Sequence, residues 1–139
     1  MTATNETATA AEQREWAELV VTCPGHICRA RALVGRLTAG AGCSENAILA
    51  ASELVANALA YTGSPCRLRG WANALTGAVR VEVDDSSMSF PLLTRATSAA
   101  TEHGRGLMIV AAVTSRWGVE MRPPAGKTVW FEIDAGTSA

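Results

Sequence analysis

The chain has 139 residues, of which 48% are hydrophobic and 18% charged, a composition typical of one globular domain with its own core. A formal net charge of −1 and the lack of a basic run in the sequence argue against direct nucleic-acid binding. No apolar stretch approaches the roughly 20 residues of a membrane helix, and the first residues lack a signal-peptide pattern. We therefore expect a cytoplasmic protein without a membrane partner, with a domain over residues 15–134 and disordered tails at 1–14 and 135–139.

The first half of the chain is expected to form one strand and two helices. The pattern predicts a strand over residues 16–22 and a helix over about 24–39. A second helix follows, for which Ser44 is a suitable N-terminal cap and Gly63 and Pro65 a suitable end. Ala and Leu dominate this second helix, which favours helix formation and indicates that most of its surface is buried.

Polar side chains are rare in the middle of the second helix. Between residues 48 and 60 they are Ser52, Glu53 and Asn57. Glu53 and Asn57 are four positions apart, so they project from the same face of the helix. A carboxylate and an amide in a buried region cost free energy unless something binds them. Their partner could be an arginine of the preceding helix, a ligand or a metal ion.

A hairpin is predicted next, with strands over residues 66–72 and 78–84 joined by a turn at 73–77. In its second strand, valines alternate with charged residues, which places the valines on the buried face. Continuing the count puts Asp85, and not Asp84, on that face. Asp85 is thus an inward-facing carboxylate at the end of a strand, although it could also cap the following turn.

The remainder of the chain is expected to contain a loop, a helix and two more strands. These lie at residues 92–101, 107–113, 117–121 and 128–133. The order of elements predicts an α/β (α+β) two-layer sandwich, in which helices cover one face of a mixed, mostly antiparallel sheet. Gly104 and Gly106 come before the helix, where exposed backbone N–H groups and the helix dipole would suit a phosphate.

Four motifs occur in this order: Glu53-x-x-x-Asn57, Asp85-x-Ser87-x-x-x-Pro91, Gly104-Arg105-Gly106-Leu107 and Gly126-Lys127-Thr128. Each alone is weak, but their order and spacing over about residues 16–133 resemble the N, G1 and G2 boxes and the last strand of the GHKL, or Bergerat-fold, histidine kinase-like ATPases. Within that superfamily, the short chain is similar to the anti-sigma-factor serine kinases and their actinobacterial relatives.

The resemblance implies a role for each matching residue. Asn57 would coordinate the Mg²⁺ that bridges the phosphates of ATP, an amide oxygen being a suitable ligand. Glu53 would be the general base, and Asp85 would accept a hydrogen bond from the adenine amino group. Residues 88–103 would form the ATP lid. The other cofactor-binding residues that it implies are Ser87, Gly104, Arg105, Gly106, Leu107 and, near the adenine, Thr128.

Two of these positions leave an alternative open. Ser87 stands where many members have glycine, and serine would be strained if the backbone there needs a positive φ. Arg105 could touch phosphate or a partner, but it is equally well interpreted as a solvated side chain.

The function that the resemblance implies is a Mg-ATP-dependent protein serine/threonine kinase that binds a sigma factor. Its substrate would be an anti-anti-sigma (STAS) partner, and it would regulate transcription by partner switching. The alternative is a nucleotide-gated partner-binding module without kinase activity. A homodimer is compatible with both, with Trp16 marking its face, whereas we interpret Trp71, Trp117 and Trp130 as packing residues.

Four cysteines are present, and no export signal accompanies them, so the reduced state is expected. We favour packing thiols. Redox modulation of partner binding and a metal site near Cys23 are the alternatives. The cysteines are Cys23, Cys28, Cys43 and Cys66.

Overall fold

The computed structural model describes residues 14–62, 65–73, 75–87 and 101–135. Its strands are β1 (Arg14–Val21), β2 (Cys66–Asn73), β3 (Val79–Asp85), β4 (Arg116–Met121) and β5 (Lys127–Ile133). Its helices are α1 (Ile27–Leu37), which follows a 3₁₀ turn at Pro24–His26, α2 (Ser44–Thr62) and α3 (Thr101–Val113). The strands form one sheet in the order β1-β2-β3-β5-β4, and each of these pairings is antiparallel. The predicted two-layer sandwich is confirmed.

The core lies between the helices and one face of the sheet. The small residues of α2 allow this helix to pack closely on β3, whose valines alternate inward as predicted. Burying a side chain of this size typically contributes about 1.5–3 kcal/mol, so the alternation fixes which face of each strand is covered. The central buried side chains are Ala47, Ala50, Leu54, Val55, Leu68, Val81, Val83, Leu107, Val110 and Phe131.

The predicted hairpin is present between β2 and β3. The Asn73 side chain organises its turn, because Oδ1 accepts the backbone N–H groups of Leu75 and Thr76 at 2.9 and 3.0 Å. Gly77 has a φ of +80°, a conformation that glycine adopts without steric cost. Turn chemistry and strand alternation therefore agree on this register.

The boundary between α1 and α2 differs in detail from the prediction. Helix α1 ends at Leu37, and α2 includes Ser44 as its first residue. Thr38 Oγ1 donates to the Val34 carbonyl at 2.7 Å, so the Ser44 hydroxyl, 2.8 Å away, donates to Thr38. Ser44 thus joins the two helix ends. Helix α2 ends at Thr62, directly before the predicted end at Gly63 and Pro65, of which Gly63 lies outside the described residues.

Helix α3 is longer than predicted, since it begins at Thr101 and not near residue 107. Gly104 and Gly106 therefore lie within the helix and do not precede it. Glycine inside a helix costs about 1 kcal/mol relative to alanine, but the packing of α3 against α2 requires a small residue at Gly106, as shown below. The predicted lid at 88–103 falls largely outside the described residues, as do the tails at 1–13 and 136–139.

The other face of the sheet carries charged and aromatic side chains. Arg80 stacks 4.4 Å from the ring centroid of Trp130, and Arg69 lies 5.8 Å from that of Trp71. These two tryptophans are therefore sheet-face packing residues, as predicted, whereas Trp117 packs against the core. Trp16 is 53% exposed. No helix in the described ranges is long and apolar enough to cross a membrane.

Candidate functional site

Glu53 and Asn57 lie side by side on one face of α2. Asn57 is 9% exposed, and Glu53 is half-buried. Both line a cavity of about 340 Å³ between the start of α1, helix α2 and helix α3. The described residues that line it are Pro24, Ile27, Glu53, Ala56, Asn57, Leu59, Ala60 and Gly106. The helix register thus brings two polar groups to one mainly apolar recess.

Hydrogen bonding separates the polar residues of α2 into two kinds. Ser52 Oγ donates to the Ile48 carbonyl at 2.7 Å, so it is satisfied within the helix. Within the described residues, Glu53 and Asn57 make no side-chain hydrogen bond and no ion pair. The alternative in which Glu53 pairs with an arginine of α1 is therefore not observed there. Because both side chains line the recess, a ligand that enters it could contact them.

Gly106 of α3 supports Glu53 from the opposite side of the recess. A Cβ at Gly106 would lie 3.2 Å from Glu53 Oε1 and 3.8 Å from Glu53 Cβ. Contacts of 3.2 Å are tighter than side chains normally accept. The absence of a side chain at residue 106 therefore leaves room for the Glu53 carboxylate in this position.

Asp85 lies at the end of β3 on the helix-facing side of the sheet, as the alternation predicted. Its Oδ1 accepts from Lys127 Nζ at 3.0 Å and from the Ser87 N–H at 2.8 Å. The second bond is the turn cap that the sequence left open as an alternative. Both bonds use Oδ1, and Oδ2 accepts no hydrogen bond from the described residues.

Thr128 and Lys127 project from opposite faces of the sheet. Strand register places Thr128 opposite Asp84 and Lys127 opposite Asp85, and Thr128 Oγ1 donates to Asp84 Oδ1 at 2.6 Å. The Thr128 side chain is therefore on the other face of the sheet from Asp85. The predicted role of Thr128 near the adenine stays a prediction, and on the helix-covered face it is Lys127 that lies opposite Asp85.

The signal for Lys127 was present in the sequence. Apolar residues alternate along β5 at Val129, Phe131 and Ile133, all of which are buried. Counting back by two from Val129 reaches Lys127, not Thr128. The match to the motif favoured Thr128, but the strand period identifies the inward-facing residue.

A family model for the histidine kinase-like ATPase domain matches residues 20–133 of the chain. The chain belongs to the histidine kinase-like ATPase family. No curated protein matches it. The matched segment includes the Glu53–Asn57 pair, the Asp85–Lys127 pair and Gly106, and membership of this family implies that the domain binds ATP.

The remaining residues predicted to bind the cofactor in this histidine kinase-like ATPase domain lie in different environments. No described residue other than glycine has a positive φ, so Ser87 is not strained in place of the family's usual glycine. The Leu107 side chain is buried in the core, where it packs between α3 and the sheet. The surroundings of Gly104 and the side chain of Arg105 lie outside the described part of the structure.

The chemical type of the side chains at the recess fits Mg²⁺-ATP. Mg²⁺ prefers oxygen ligands and commonly takes only one or two from the protein beside phosphate and water. The side-chain oxygen of Asn57 is of this type, and it has no competing hydrogen bond within the described residues. Neither Asp85 nor Lys127 is among the described residues that line the Glu53 cavity, so the four candidate residues form two pairs, one on α2 and one at the ends of β3 and β5.

All four cysteines are free. Cys43 and Cys66 are buried in the core, which agrees with packing thiols. Burial, and then the nearby Asp85 charge, raise the pKa of the Cys66 thiol to about 11, and burial raises the pKa of Cys43. Cys28 is exposed. Within the described residues, no group of three or more His, Cys, Asp or Glu side chains is arranged to hold a metal ion.

Proposed function

We propose that this domain is a Mg-ATP-dependent protein serine/threonine kinase of the anti-sigma-factor type. It would act in the cytoplasm, bind a sigma factor, phosphorylate an anti-anti-sigma (STAS) partner on serine and regulate transcription by partner switching. The observation that carries the proposal is the Glu53–Asn57 pair, whose side chains face a recess without a partner in the described structure. A purely structural carboxylate and amide in this position would be expected to have partners.

Each residue of the pair has a distinct task in this proposal. Asn57 would hold Mg²⁺, which would supply charge neutralisation at the phosphates. Glu53 accepts the proton of the attacking serine hydroxyl, and the lack of a side chain at Gly106 leaves room for the carboxylate. Asp85 Oδ2 accepts a hydrogen bond from the exocyclic amino group of the adenine. Positioning by these groups carries most of the rate, because a kinase does little covalent chemistry of its own.

The experiment has a binding arm and a transfer arm. ATP is titrated calorimetrically into wild type and Asn57→Ala, with and without Mg²⁺. Phosphate transfer from γ-labelled ATP is then measured on a purified STAS-domain protein from the same genome. We expect Mg²⁺-dependent binding in wild type that Asn57→Ala loses, because the amide oxygen is its protein ligand.

Glu53→Gln is compared with Glu45→Gln, which removes an exposed carboxylate from the first turn of the same helix. We expect Glu53→Gln to bind ATP like wild type and to transfer phosphate about 10²- to 10⁴-fold more slowly. Glu45→Gln should transfer at the wild-type rate. Wild-type transfer by Glu53→Gln would overturn the assignment of the base. Tight ATP binding with no transfer by wild type to any STAS partner would favour the nucleotide-gated binding module instead.

A further inference from the structure

Lys127 and Asp85 form an ion pair that is almost completely withdrawn from solvent. Nζ lies 3.0 Å from Oδ1, and the two side chains are 3% and 2% exposed. Lys127 is also the only lysine in the sequence, beside eleven arginines. Buried charges require close geometry and further hydrogen bonds to offset their desolvation. The hydrogen bonds around this pair therefore bear on its function.

Among the described residues, this pair uses only part of its hydrogen-bonding capacity. An ammonium group carries three donors, and within the described residues Lys127 gives one, to Asp85. Asp85 Oδ1 accepts from both Lys127 and Ser87, whereas Oδ2 accepts from no described residue. The pair thus presents an unused donor next to an unused acceptor. That arrangement is complementary to a ligand with an acceptor beside a donor.

We propose that Lys127 reads the purine ring of the bound nucleotide, with Nζ donating to ring N1 while Asp85 Oδ2 accepts from the 6-amino group. The inference rests on the nucleotide site proposed above and adds a specificity-determining residue to it. Lys127 takes this role because β5 places it directly opposite Asp85, on the face of the sheet that the helices cover.

The chemistry of the two purines gives the pair a preference. The edge of adenine offers one donor, the 6-amino group, and one acceptor, N1, which match Asp85 Oδ2 and Lys127. The edge of guanine offers one acceptor and two donors. Because Oδ1 is already used by Lys127 and Ser87, one guanine donor would be buried without a partner. Leaving such a group unpaired weakens binding by about 10- to 100-fold.

The test uses ligand analogues on the wild-type protein, so it does not depend on the folding of a variant. Dissociation constants are measured by calorimetry for ATP, for GTP and for 1-deaza-ATP, in which a C–H replaces ring N1. We expect 1-deaza-ATP and GTP each to bind at least about 10-fold more weakly than ATP. Equal affinities for ATP and 1-deaza-ATP would overturn the role of Lys127 and leave the nucleotide site standing. Failure of ATP itself to bind would overturn both proposals.

A variant pair and a spectroscopic readout complete the test. Lys127→Met removes the hydrogen-bond donor but keeps a side chain of similar length. The variant should bind ATP and 1-deaza-ATP with dissociation constants within about 2-fold of each other, because it donates no hydrogen bond to position 1 of either ring. The control, Arg122→Met, removes a cation that pairs with Asp84 on the other face, and it should keep the wild-type ratio. Selective ¹³C-lysine labelling gives a single lysine side-chain signal set, which should shift with ATP and shift less with 1-deaza-ATP. An unchanged spectrum at saturating ATP would contradict the contact.

Discussion

Gly126 and Asp85 approach so closely that a Cβ at Gly126 would stand 2.7 Å from the Asp85 carbonyl oxygen. The same glycine has a φ of +103°, a conformation that side chains strongly disfavour. The chain therefore needs glycine here for two separate reasons. Their joint effect is to let β5 begin directly beside the end of β3, in the register that sets Lys127 against Asp85.

Replacing Gly126 with alanine should destabilise the domain by more than the strain of a positive φ alone. Gly126→Ala combines the strain of a positive φ, about 1 kcal/mol or more, with a clash against backbone, so we expect a loss of about 2–4 kcal/mol of unfolding free energy. Urea unfolding followed by tryptophan fluorescence measures it. The control is Gly77→Ala, where φ is +80° and no atom lies within 4 Å of the added Cβ. Equal losses for the two variants would show that the clash is relieved.

The contact between Gly106 and Glu53 predicts a variant that folds but transfers phosphate poorly. In Gly106→Ala the new Cβ would lie 3.2 Å from a flexible carboxylate oxygen, so Glu53 can move aside, and alanine favours the helix. We expect stability within about 1 kcal/mol of wild type. A displaced base should slow transfer about 10²-fold.

Gly35→Ala is the matched control for this change. It adds the same methyl group in helix α1, where the Cβ would meet Ile48 Cδ1 at 3.4 Å. Transfer by Gly35→Ala should equal that of wild type, and the two variants are compared by thermal unfolding and by the transfer assay. A wild-type rate for Gly106→Ala would mean that Glu53 needs no support from α3.

The sequence predicted the fold well because its strands alternate strictly. A period of two places Asp85 on the same face as Val79, Val81 and Val83, and no tertiary information is needed for that inference. The Glu53–Asn57 pair followed in the same way from helix periodicity. These local rules were sufficient to locate most strands, α1 and α2, and to place Glu53 and Asn57 on one face of α2.

Errors arose where local signals competed with packing. Gly104 and Gly106 indicated the start of a helix, but tertiary contact with α2 carries α3 through them. For β5, the motif pointed to Thr128, whereas the alternation places Lys127 on the helix-covered face. Partners across the sheet, such as the pairing of Asp85 with Lys127, depend on strand order, which nothing in a single sequence specifies.

Cys66 should make the stability of the domain depend on alkaline pH. Its pKa is raised to about 11, by burial first and then by the Asp85 charge. The unfolded thiol ionises from about pH 9, so between pH 9 and 11 the folded state holds a proton that the unfolded state has lost. Stability must therefore fall as pH rises through this window. A shift of this size corresponds to roughly 2–3 kcal/mol.

Urea unfolding of wild type and Cys66→Ala from pH 8 to pH 10.5 isolates this effect from other titrating groups. Cys66→Ala should be less stable at pH 8, because a buried side chain is truncated, but its stability should fall less steeply above pH 9. Parallel pH curves for the two proteins would show that Cys66 ionises as readily in the folded state as in the unfolded chain.

Glu132 connects two arginines on the face of the sheet opposite the helices. Its carboxylate accepts from Arg80 at 2.7 Å and from Arg116 at 2.8 Å. The hydrogen bond from Arg116, and then that from Arg80, lower the pKa of Glu132. A carboxyl whose pKa is lowered by folding stabilises the protein above its ordinary pKa, and that contribution disappears as the pH falls through the lowered value.

Glu132→Gln should therefore lower the unfolding free energy at pH 7 by about 1 kcal/mol, since it weakens two partly exposed ion pairs at once. The difference from wild type should shrink as the pH falls below 4.5, the ordinary value for this carboxyl. Glu18→Gln is the control, because Glu18 pairs only with Arg67, which is 57% exposed, among the described residues, and its cost should stay within about 0.5 kcal/mol. Urea unfolding of the three proteins at pH 7 and pH 3.5 distinguishes the two positions. A Glu132→Gln cost no larger than that of Glu18→Gln would mean that solvent screens this network as completely as it screens an isolated surface pair.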